Sequence, residues 1–270
     1  MKALFIILGV LLVLLGIYIL LIAPGRRRDI AKYKGVKFAH RGLHNSKRAE
    51  NSMSAFAAAA DAGFGIELDV RLSSDGVLVV YHDDNLERVA RREGLVIDYT
   101  AAELGKMNLL DTDDTIPRFR DVLRLIDGRV PLLIEIKEAA GDNTVSLALC
   151  EMLKDYKGDY IIESFNPLSL ATVRKHLPSA TRGILSHRYM AYEPYRKPLY
   201  FLLQSLLLNR LAGPAFIAYD HHHWLSGSLI IARLLGATTM AWTVRSLEEE
   251  KLAYKHGFDT VIFENYIPKI

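Results

Sequence analysis

The chain alternates short apolar segments with stretches of helical character along most of its length. Glycine lies just past several of the helix-like stretches, where it commonly ends a helix. Such alternation predicts a mainly parallel sheet covered by helices, an α/β fold. The nine strand candidates are Val36–His40, Gly65–Val70, Val77–His82, Pro131–Lys137, Asp159–Phe165, Arg182–Ser186, Ala215–Asp220, Thr238–Val244 and Thr260–Glu264.

Nine strands are one too many for a (β/α)8 TIM barrel, and the excess has a local explanation. Only Arg71–Gly76 separates the second candidate from the third, which is too short for a parallel crossover. We therefore expect a hairpin that pairs Leu72 with Val77 and brings His82 opposite Glu67. Eight strands then remain for a barrel over residues 36–270, a size that suits one large domain.

The amino-terminal run from Ala3 to Ala23 carries no charge. At about 1.5 Å per residue, a helix of this length spans roughly 30 Å, the thickness of a hydrocarbon core. A signal peptide is the alternative, but the run is long for one and Pro24 lies where cleavage would fall. We predict a single transmembrane anchor over residues 1–24, followed by a basic linker over residues 25–35.

Charge is concentrated next to the predicted span. Arg26, Arg27, Arg28, Lys32, Lys34 and Lys37 follow the span, whereas only Lys2 and the amino terminus precede it. This asymmetry favours a catalytic domain on the cytoplasmic face. This cluster explains the net charge of +3. Arg26, Arg27 and Arg28 would sit at anionic headgroups, so we expect no nucleic-acid partner. The single Cys150 cannot form an internal disulfide, and no obligate protein partner is evident.

Ionisable residues end four of the apolar strand candidates, where barrel enzymes build their active sites. They are His40 and Arg41, Glu67 and Asp69, His82 and Asp83, and Glu135 and Lys137. Residues at i and i+2 of a strand point to the same side, which groups Glu67 with Asp69. A structural salt-bridge network is the alternative for these charges.

The residue types in this group favour a cation and an anionic substrate. Three buried carboxylates (Glu67, Asp69 and Glu135) would repel one another without a cation, and oxygen ligands suit Mg²⁺ or Ca²⁺. Arg41 and Lys137 would then be available for a phosphate. His40 and His82 suit general acid–base catalysis near neutral pH.

The stretch from Ala39 to Val89 resembles the signature of glycerophosphodiester phosphodiesterases. It contains HRG, ENS, E-x-D and HD in the order and spacing of that family, and IPRFRDVL, LLIEIKE, ESFNP and AWTV follow. The resemblance covers essentially Val36 to the C-terminus. It implies a (β/α)8 barrel and metal-dependent hydrolysis of glycerophosphodiesters to an alcohol and sn-glycerol 3-phosphate.

The resemblance also implies a role for each matching residue. His40 and His82 would be the acid–base pair, Glu67, Asp69 and Glu135 the metal ligands, and Arg41 and Lys137 the phosphate contacts. Glu50 and Trp242 are further candidates for substrate binding, although the segment at Glu50 could instead cap a helix and Trp242 could belong to the core. Family members commonly end near I-T-D, where this chain has Ile262-Phe263-Glu264-Asn265.

Two other segments have open interpretations. His221-His222-His223 resembles a metal cluster, but adjacent residues of an extended segment alternate sides, so we expect no convergence on one ion. Pro198–Leu211 is too short to span a bilayer and is either an outer barrel helix or an apolar lip at a membrane surface. The lip would suit a lysophospholipase D-type activity. A catalytically silent, anchored binding module is the alternative from outside the enzymes.

Overall fold

The computed structural model describes residues 1–25, 28–139 and 141–269. The strands are Lys37–Ala39 (β1), Gly65–Leu72 (β2), Leu78–Val80 (β3), Leu132–Ile136 (β4), Tyr160–Ser164 (β5), Thr181–Ser186 (β6), Phe216–Asp220 (β7), Thr238–Val244 (β8) and Thr260–Phe263 (β9). The helices are Lys2–Ile22 (α1), Met53–Asp61 (α2), Glu87–Ala90 (α3), Ala101–Leu104 (α4), Phe119–Ile126 (α5), Thr144–Leu153 (α6), Pro167–His176 (α7), Pro198–Gln204 (α8), Asn209–Ala212 (α9), Gly227–Leu234 (α10) and Leu247–Lys255 (α11).

Eight of the described strands form a closed parallel barrel. The order is β1-β9-β8-β7-β6-β5-β4-β2, and pairing of β1 with β2 closes the circle. The ninth strand, β3, is antiparallel to β2 and lies outside the barrel. The predicted (β/α)8 barrel with one accessory hairpin is confirmed.

The predicted register of the hairpin is wrong by one residue. Leu72 pairs with Leu78, not Val77, and Val70 pairs with Val80. The Ser73 and Val77 backbones close a three-residue loop, in which Gly76 takes a φ of 72°. A four-residue turn was assumed, whereas a three-residue loop ending in a left-handed glycine is a common hairpin connection. Consequently, His82 is not opposite Glu67.

The outer helices pack on the barrel through regularly spaced apolar residues. In α5 the buried residues are Phe119, Val122, Leu123 and Ile126, the spacing of one helix face. The first turn of α2 is capped by the Ser52 hydroxyl, which accepts a hydrogen bond from the Ala55 N–H at 3.2 Å.

The predicted linker forms part of the barrel's amino-terminal end. Residues Arg28–Tyr33 form a 3-10 helix, and Ile30 and Tyr33 are buried against Phe38 and Phe216. Lys32 pairs with Asp159 at 2.5 Å and Lys34 with Asp259 at 2.7 Å. Arg26 and Arg27, predicted to contact headgroups, lie outside the described residues.

Helix α1 is long and apolar enough to cross a membrane, a property that signal sequences share. Its residues are exposed up to Ile17, and its last residue, Ile22, is buried. The Asn209 side chain donates a hydrogen bond to the Ile22 carbonyl at 3.2 Å. The Gly25 N–H donates to the Pro214 carbonyl, just before β7, at 2.6 Å. The end of α1 is therefore docked beside the amino-terminal end of β7.

Candidate active site

Three acidic side chains meet at the carboxyl ends of β2 and β4. Asp69 and Glu135 are direct partners in the parallel register, and Glu67 lies two residues before Asp69 on the same side. One carboxylate oxygen from each residue lies within 4.8 Å of the others, and all three side chains are buried. The structure thus brings together the three predicted metal ligands.

Two cationic residues surround this acidic cluster. The Lys137 ammonium lies 2.6 Å from Glu135 Oε1 and 3.2 Å from Asp69 Oδ1. The Arg41 backbone N–H donates to Glu67 Oε2 at 2.8 Å, and its Nε is 3.6 Å from Asp69 Oδ2. The predicted phosphate contacts therefore lie beside the carboxylates.

The pKa values of the three carboxylates are shifted in different directions. Burial raises the pKa of Glu67 well above its usual range, and Asp69 and Glu135 raise it further. Burial likewise raises the pKa of Glu135 to about 7, although Lys137 opposes the shift. For Asp69, burial is outweighed by Lys137, His82 and Arg41, which hold its pKa below the usual range.

This donor set fits a hard divalent cation. Asp69 Oδ1 is buried, and the Lys137 ammonium, 3.2 Å away, is its ion-pair partner among the described residues. Two protein cations face three buried carboxylates, so a bound ion would offset both the burial and the repulsion that raise the pKa of Glu67. Carboxylate oxygens are the ligands that Mg²⁺ and Ca²⁺ prefer. The acidic groups could therefore hold an ion.

His40 follows β1 and is held by a carboxylate from the last strand. Its Nδ1 lies 2.5 Å from Oε2 of Glu264, the residue after β9, and its backbone N–H donates to the Phe263 carbonyl. Pairing of β1 with β9 fixes this contact. With Nδ1 engaged, Nε2 remains as the nitrogen available for proton transfer.

His82 follows β3 and is held by its own neighbour. Its Nδ1 lies 2.6 Å from Oδ1 of Asp83. The second Asp83 oxygen accepts a hydrogen bond from Arg88 Nε at 2.7 Å. Both histidines are therefore oriented by a carboxylate on Nδ1.

The two histidines and two of the predicted metal ligands, Glu67 and Glu135, line one cavity of about 220 Å³ at the carboxyl end of the barrel. The described residues that line it are His40, Arg41, Glu67, His82, Glu135, Lys137, Glu163, Phe165, Leu185, Trp242, Thr243, Arg245 and Ile262.

Two residues of this region were not predicted as site residues. Glu264 contacts His40 at the position where the chain departs from I-T-D. Glu163 is paired with Glu135 in the register, is buried, and has no partner for Oε2 among the described residues. Burial, together with the carboxylates of Glu135 and Glu67, raises the pKa of Glu163 well above its usual range. Glu163 and Glu264 each lie at the carboxyl end of a strand, and this position was the signal available in the sequence.

Glu50 lies in an ion-pair network. It accepts a hydrogen bond from Arg41 Nη1 at 2.7 Å and two from Arg88 at 2.8 Å. Neighbouring Asn51 donates to Asp69 Oδ2 at 2.8 Å, while Ser52 caps α2. Glu50 therefore lies behind Arg41 and is not among the described residues that line the cavity.

Trp242 and Gly42 shape the site. Trp242 lines the cavity and packs edge-on against Phe165, with ring centroids 5.5 Å apart, so it combines a packing contact with a position at the cavity wall. Gly42 has a φ of 81°, and a Cβ there would lie 2.9 Å from the Ala55 Cβ and carbonyl carbon. The absence of a side chain at residue 42 therefore allows the backbone after β1 to approach α2 closely.

The structure shows the conformation of the two segments whose interpretation the sequence left open, His221–His223 and Pro198–Leu211. His221–His223 is a 3-10 turn, not an extended segment, so the premise against convergence is wrong. His221 and His222 converge with Glu249, and His223 is not part of that group. Pro198–Leu211 contains two short helices, of which α8 exposes Leu199 and Phe201.

Comparison with known proteins agrees with this geometry. A sequence profile of the glycerophosphoryl diester phosphodiesterase family matches residues 40–267. A glycerophosphodiester phosphodiesterase from Caldanaerobacter subterraneus is 30% identical over 86% of this chain and 95% of its own length. A lysophospholipase D from Rattus norvegicus is 25% identical over 90% of this chain and 87% of its own.

The fold also matches a solved structure. A phosphodiesterase from Oleispira antarctica, in complex with the product sn-glycerol-3-phosphate, superposes with a TM-score of 0.71 at 23% identity, covering 86% of this chain and 94% of that one. The solved structure shares the barrel fold, and the family profile and the relative that is 30% identical define the chain as a phosphoric diester hydrolase. The chain belongs to the glycerophosphoryl diester phosphodiesterase family.

Proposed function

We propose that the 220 Å³ cavity hydrolyses glycerophosphodiesters to an alcohol and sn-glycerol 3-phosphate with the help of one divalent cation, Mg²⁺ or Ca²⁺. The observation that carries the proposal is the shared cavity: two imidazoles, each held by a carboxylate, open onto the same space as the acidic cluster. General acid–base hydrolysis needs an acid and a base within reach of the same bond, and this arrangement supplies two candidates.

Glu67, Asp69 and Glu135 would hold the cation, which supplies charge stabilisation to the phosphoryl oxygens. Their carboxylates would then no longer need Lys137 as a counterion, and its ammonium would be free to contact the phosphate. The Arg41 side chain would add a second contact, with Glu50 fixing its position. These groups bind and orient the diester.

His40 and His82 move the protons. One imidazole accepts the proton of the attacking hydroxyl, and the other donates a proton to the leaving alkoxide. Burial lowers the pKa of both rings, which keeps the unprotonated form accessible near neutral pH. The nucleophile is either water or a neighbouring glycerol hydroxyl, which would give a cyclic phosphate that water opens later.

Chelation tests the metal dependence. The full-length protein, incubated with EDTA and then dialysed, should lose release of glycerol phosphate from glycerophosphocholine, and Mg²⁺ or Ca²⁺ should restore it. The same treatment of a Glu67→Gln variant is the matched control, because added ion should restore little activity there. Undiminished turnover after chelation would refute the cation's role. Absence of turnover with every ion would favour the silent binding module.

A lysophospholipase D-type activity is the second candidate, and one surface favours it. The exposed apolar residues Leu199 and Phe201 belong to α8, and Tyr200 of the same helix packs on Tyr189 with centroids 5.5 Å apart. Tyr189 lies 6.5 Å, between ring centroids, from the cavity residue Phe165. An apolar helix near the cavity mouth suits an acyl chain.

A pair of variants separates the two substrates. Leu199→Ser/Phe201→Ser should reduce lysolipid hydrolysis severalfold and leave glycerophosphocholine hydrolysis unchanged. Leu234→Ser is the control, since Leu234 is 81% exposed at the end of α10. Equal loss with both substrates would remove the argument for a lipid-binding lip.

We further propose that α1 anchors the enzyme in a membrane with the barrel on the cytoplasmic side. The support is the length and apolar composition of α1 and the basic residues after it. Protease should degrade the barrel in inverted vesicles but not in intact spheroplasts. The reverse pattern would place the barrel outside, and release into the soluble fraction would indicate a cleaved signal.

A further inference from the structure

The carboxyl end of the barrel carries a second group of metal-ligand side chains, outside the catalytic cavity. The 3-10 turn His221–His223 follows β7, and Glu249 lies in the first turn of α11 after β8. One ring nitrogen of His221, one of His222 and one carboxylate oxygen of Glu249 lie within 4.8 Å of one another. None of the three is among the described residues that line the cavity.

The spacing within this group fits a shared ion better than a hydrogen bond. His221 Nε2 lies 3.6 Å from Glu249 Oε2, beyond hydrogen-bond distance. Two ligands that each lie about 2.1 Å from a tetrahedral zinc ion are about 3.4 Å apart. His221 is only 7% exposed, and its Nε2 has no hydrogen-bond partner among the described residues. A buried ring nitrogen without a partner needs an explanation.

Neighbouring groups hold the side chains in place. His222 Nδ1 lies 2.9 Å from Asp220 Oδ1, which also accepts the His222 backbone N–H at 3.0 Å. A carboxylate on one ring nitrogen typically orients a metal-binding histidine and leaves the other nitrogen for the ion. Glu249 Oε2 accepts the Arg245 N–H at 2.6 Å, so this carboxylate is fixed as well.

We propose that His221, His222 and Glu249 form a site for a divalent transition metal of the zinc class. Two imidazoles and one carboxylate suit Zn²⁺, whereas Mg²⁺ and Ca²⁺ prefer oxygen ligands alone. Water would complete the coordination. The ion would join the turn after β7 to the start of α11, and its binding would stabilise the loops on this side of the cavity mouth.

The test uses tag-free, full-length protein in detergent with excess CaCl₂, which is expected to fill the catalytic cluster. Addition of ZnCl₂ should raise the melting temperature and give one bound zinc per chain. His222→Ala should abolish both effects, since the His222 side chain is 61% exposed and its removal leaves no cavity in the core. His223→Ala is the matched control, because His223 also contacts Asp220 but lies outside the group.

Zinc binding by His222→Ala equal to that of the parent protein would overturn the proposal. So would anomalous scattering at the zinc edge that appears only at Glu67, Asp69 and Glu135. The outcome is independent of the proposed hydrolysis, because bound zinc and the melting temperature are measured without a substrate.

Discussion

Each of the two histidines of the cavity has a carboxylate at Nδ1, but the two rings differ in exposure and in where the carboxylate lies along the chain. His40 is 16% exposed and takes its carboxylate from Glu264, more than two hundred residues away along the chain. His82 is 30% exposed and takes its carboxylate from the adjacent Asp83. The His40 arrangement depends on the pairing of β1 with β9, whereas the His82 arrangement is local.

This difference implies that substitutions around His40 and around His82 should affect activity unequally. Glu264 contacts His40 with one oxygen and has Arg245 3.6 Å from the other. Asp83 is shared between His82 and Arg88, and Arg88 also binds Glu50. The His40 side is partly buried and held across two strands, whereas the His82 side is tied to a more exposed ion-pair network. The less exposed imidazole, His40, should therefore be the more sensitive of the two.

Removal of either imidazole should have the largest effect. His40→Ala and His82→Ala should each lower kcat by about 10²- to 10⁴-fold, because proton transfer in the transition state is lost. A diester with a p-nitrophenolate leaving group needs no general acid, so it should rescue only the variant that lacks the acid. His176→Ala, at the exposed end of α7, is the control. Near-normal turnover by either variant would refute the acid–base pair.

Replacement of the carboxylate that contacts each histidine should affect the His40 side more than the His82 side. Glu264→Gln should lower kcat by about 10²-fold or less, and Asp83→Asn by a smaller factor, with KM little changed. Burial lowers the pKa of His40, and the hydrogen bond that its Nδ1–H donates to the Glu264 carboxylate opposes this shift. Its loss should therefore move the limb of the pH–rate profile governed by His40 to lower pH. An unmoved profile in Glu264→Gln would contradict this positioning role.

Arg88 should matter more on the His82 side than on the His40 side, because it contacts Asp83 directly and reaches Arg41 only through Glu50. Arg88→Gln removes the ion pair with Asp83 and one support of Glu50, so we expect a few-fold decrease in kcat. Arg91→Gln is the matched control, because Arg91 pairs with the exposed Asp111. Double-mutant cycles should show coupling of Arg88 with Asp83 and none with Glu264. Coupling with Glu264 would mean that the two sides are not independent.

The smallest effect should be on stability. Burial lowers the pKa of His40 and His82 in the folded state, so folding is favoured above the unfolded value of about 6.5. That stability falls as pH drops from about 6.5 towards the folded values, by at most about 1.4 kcal/mol per pH unit per group. Thermal melts at pH 7.5 and 5.5 should show a flatter dependence in His40→Asn than in the parent protein. Identical slopes would contradict the effect of burial.

The strand-end rule explains why much of the site was predictable. Glu67, Asp69, Glu135 and Lys137 lie at the carboxyl ends of parallel strands, and their grouping follows from strand periodicity and barrel closure. The same rule applied to β5 and β9 would have indicated Glu163 and Glu264. At β9, where the chain departs from the I-T-D pattern, glutamate supplies the carboxylate that contacts His40.

Features set by backbone conformation were less predictable. The hairpin register depended on a left-handed Gly76 that shortened the loop by one residue. The convergence of His221 and His222 depended on a 3-10 turn, which three identical residues do not specify. In both cases the prediction assumed the alternation of an extended strand, whereas the backbone of the segment forms a turn.

The short helix Arg28–Tyr33 limits where the enzyme can be truncated. Ile30 and Tyr33 close the floor of the barrel against Phe38 and Phe216, and burial of such side chains contributes about 1.5–3 kcal/mol each. A soluble fragment that begins at Val36 would leave this apolar surface open to water. A fragment that begins near Arg28 would keep Ile30 and Tyr33 packed against this surface. The segment that looks like a tether is thus the first structural element that a membrane-free version of this enzyme must retain.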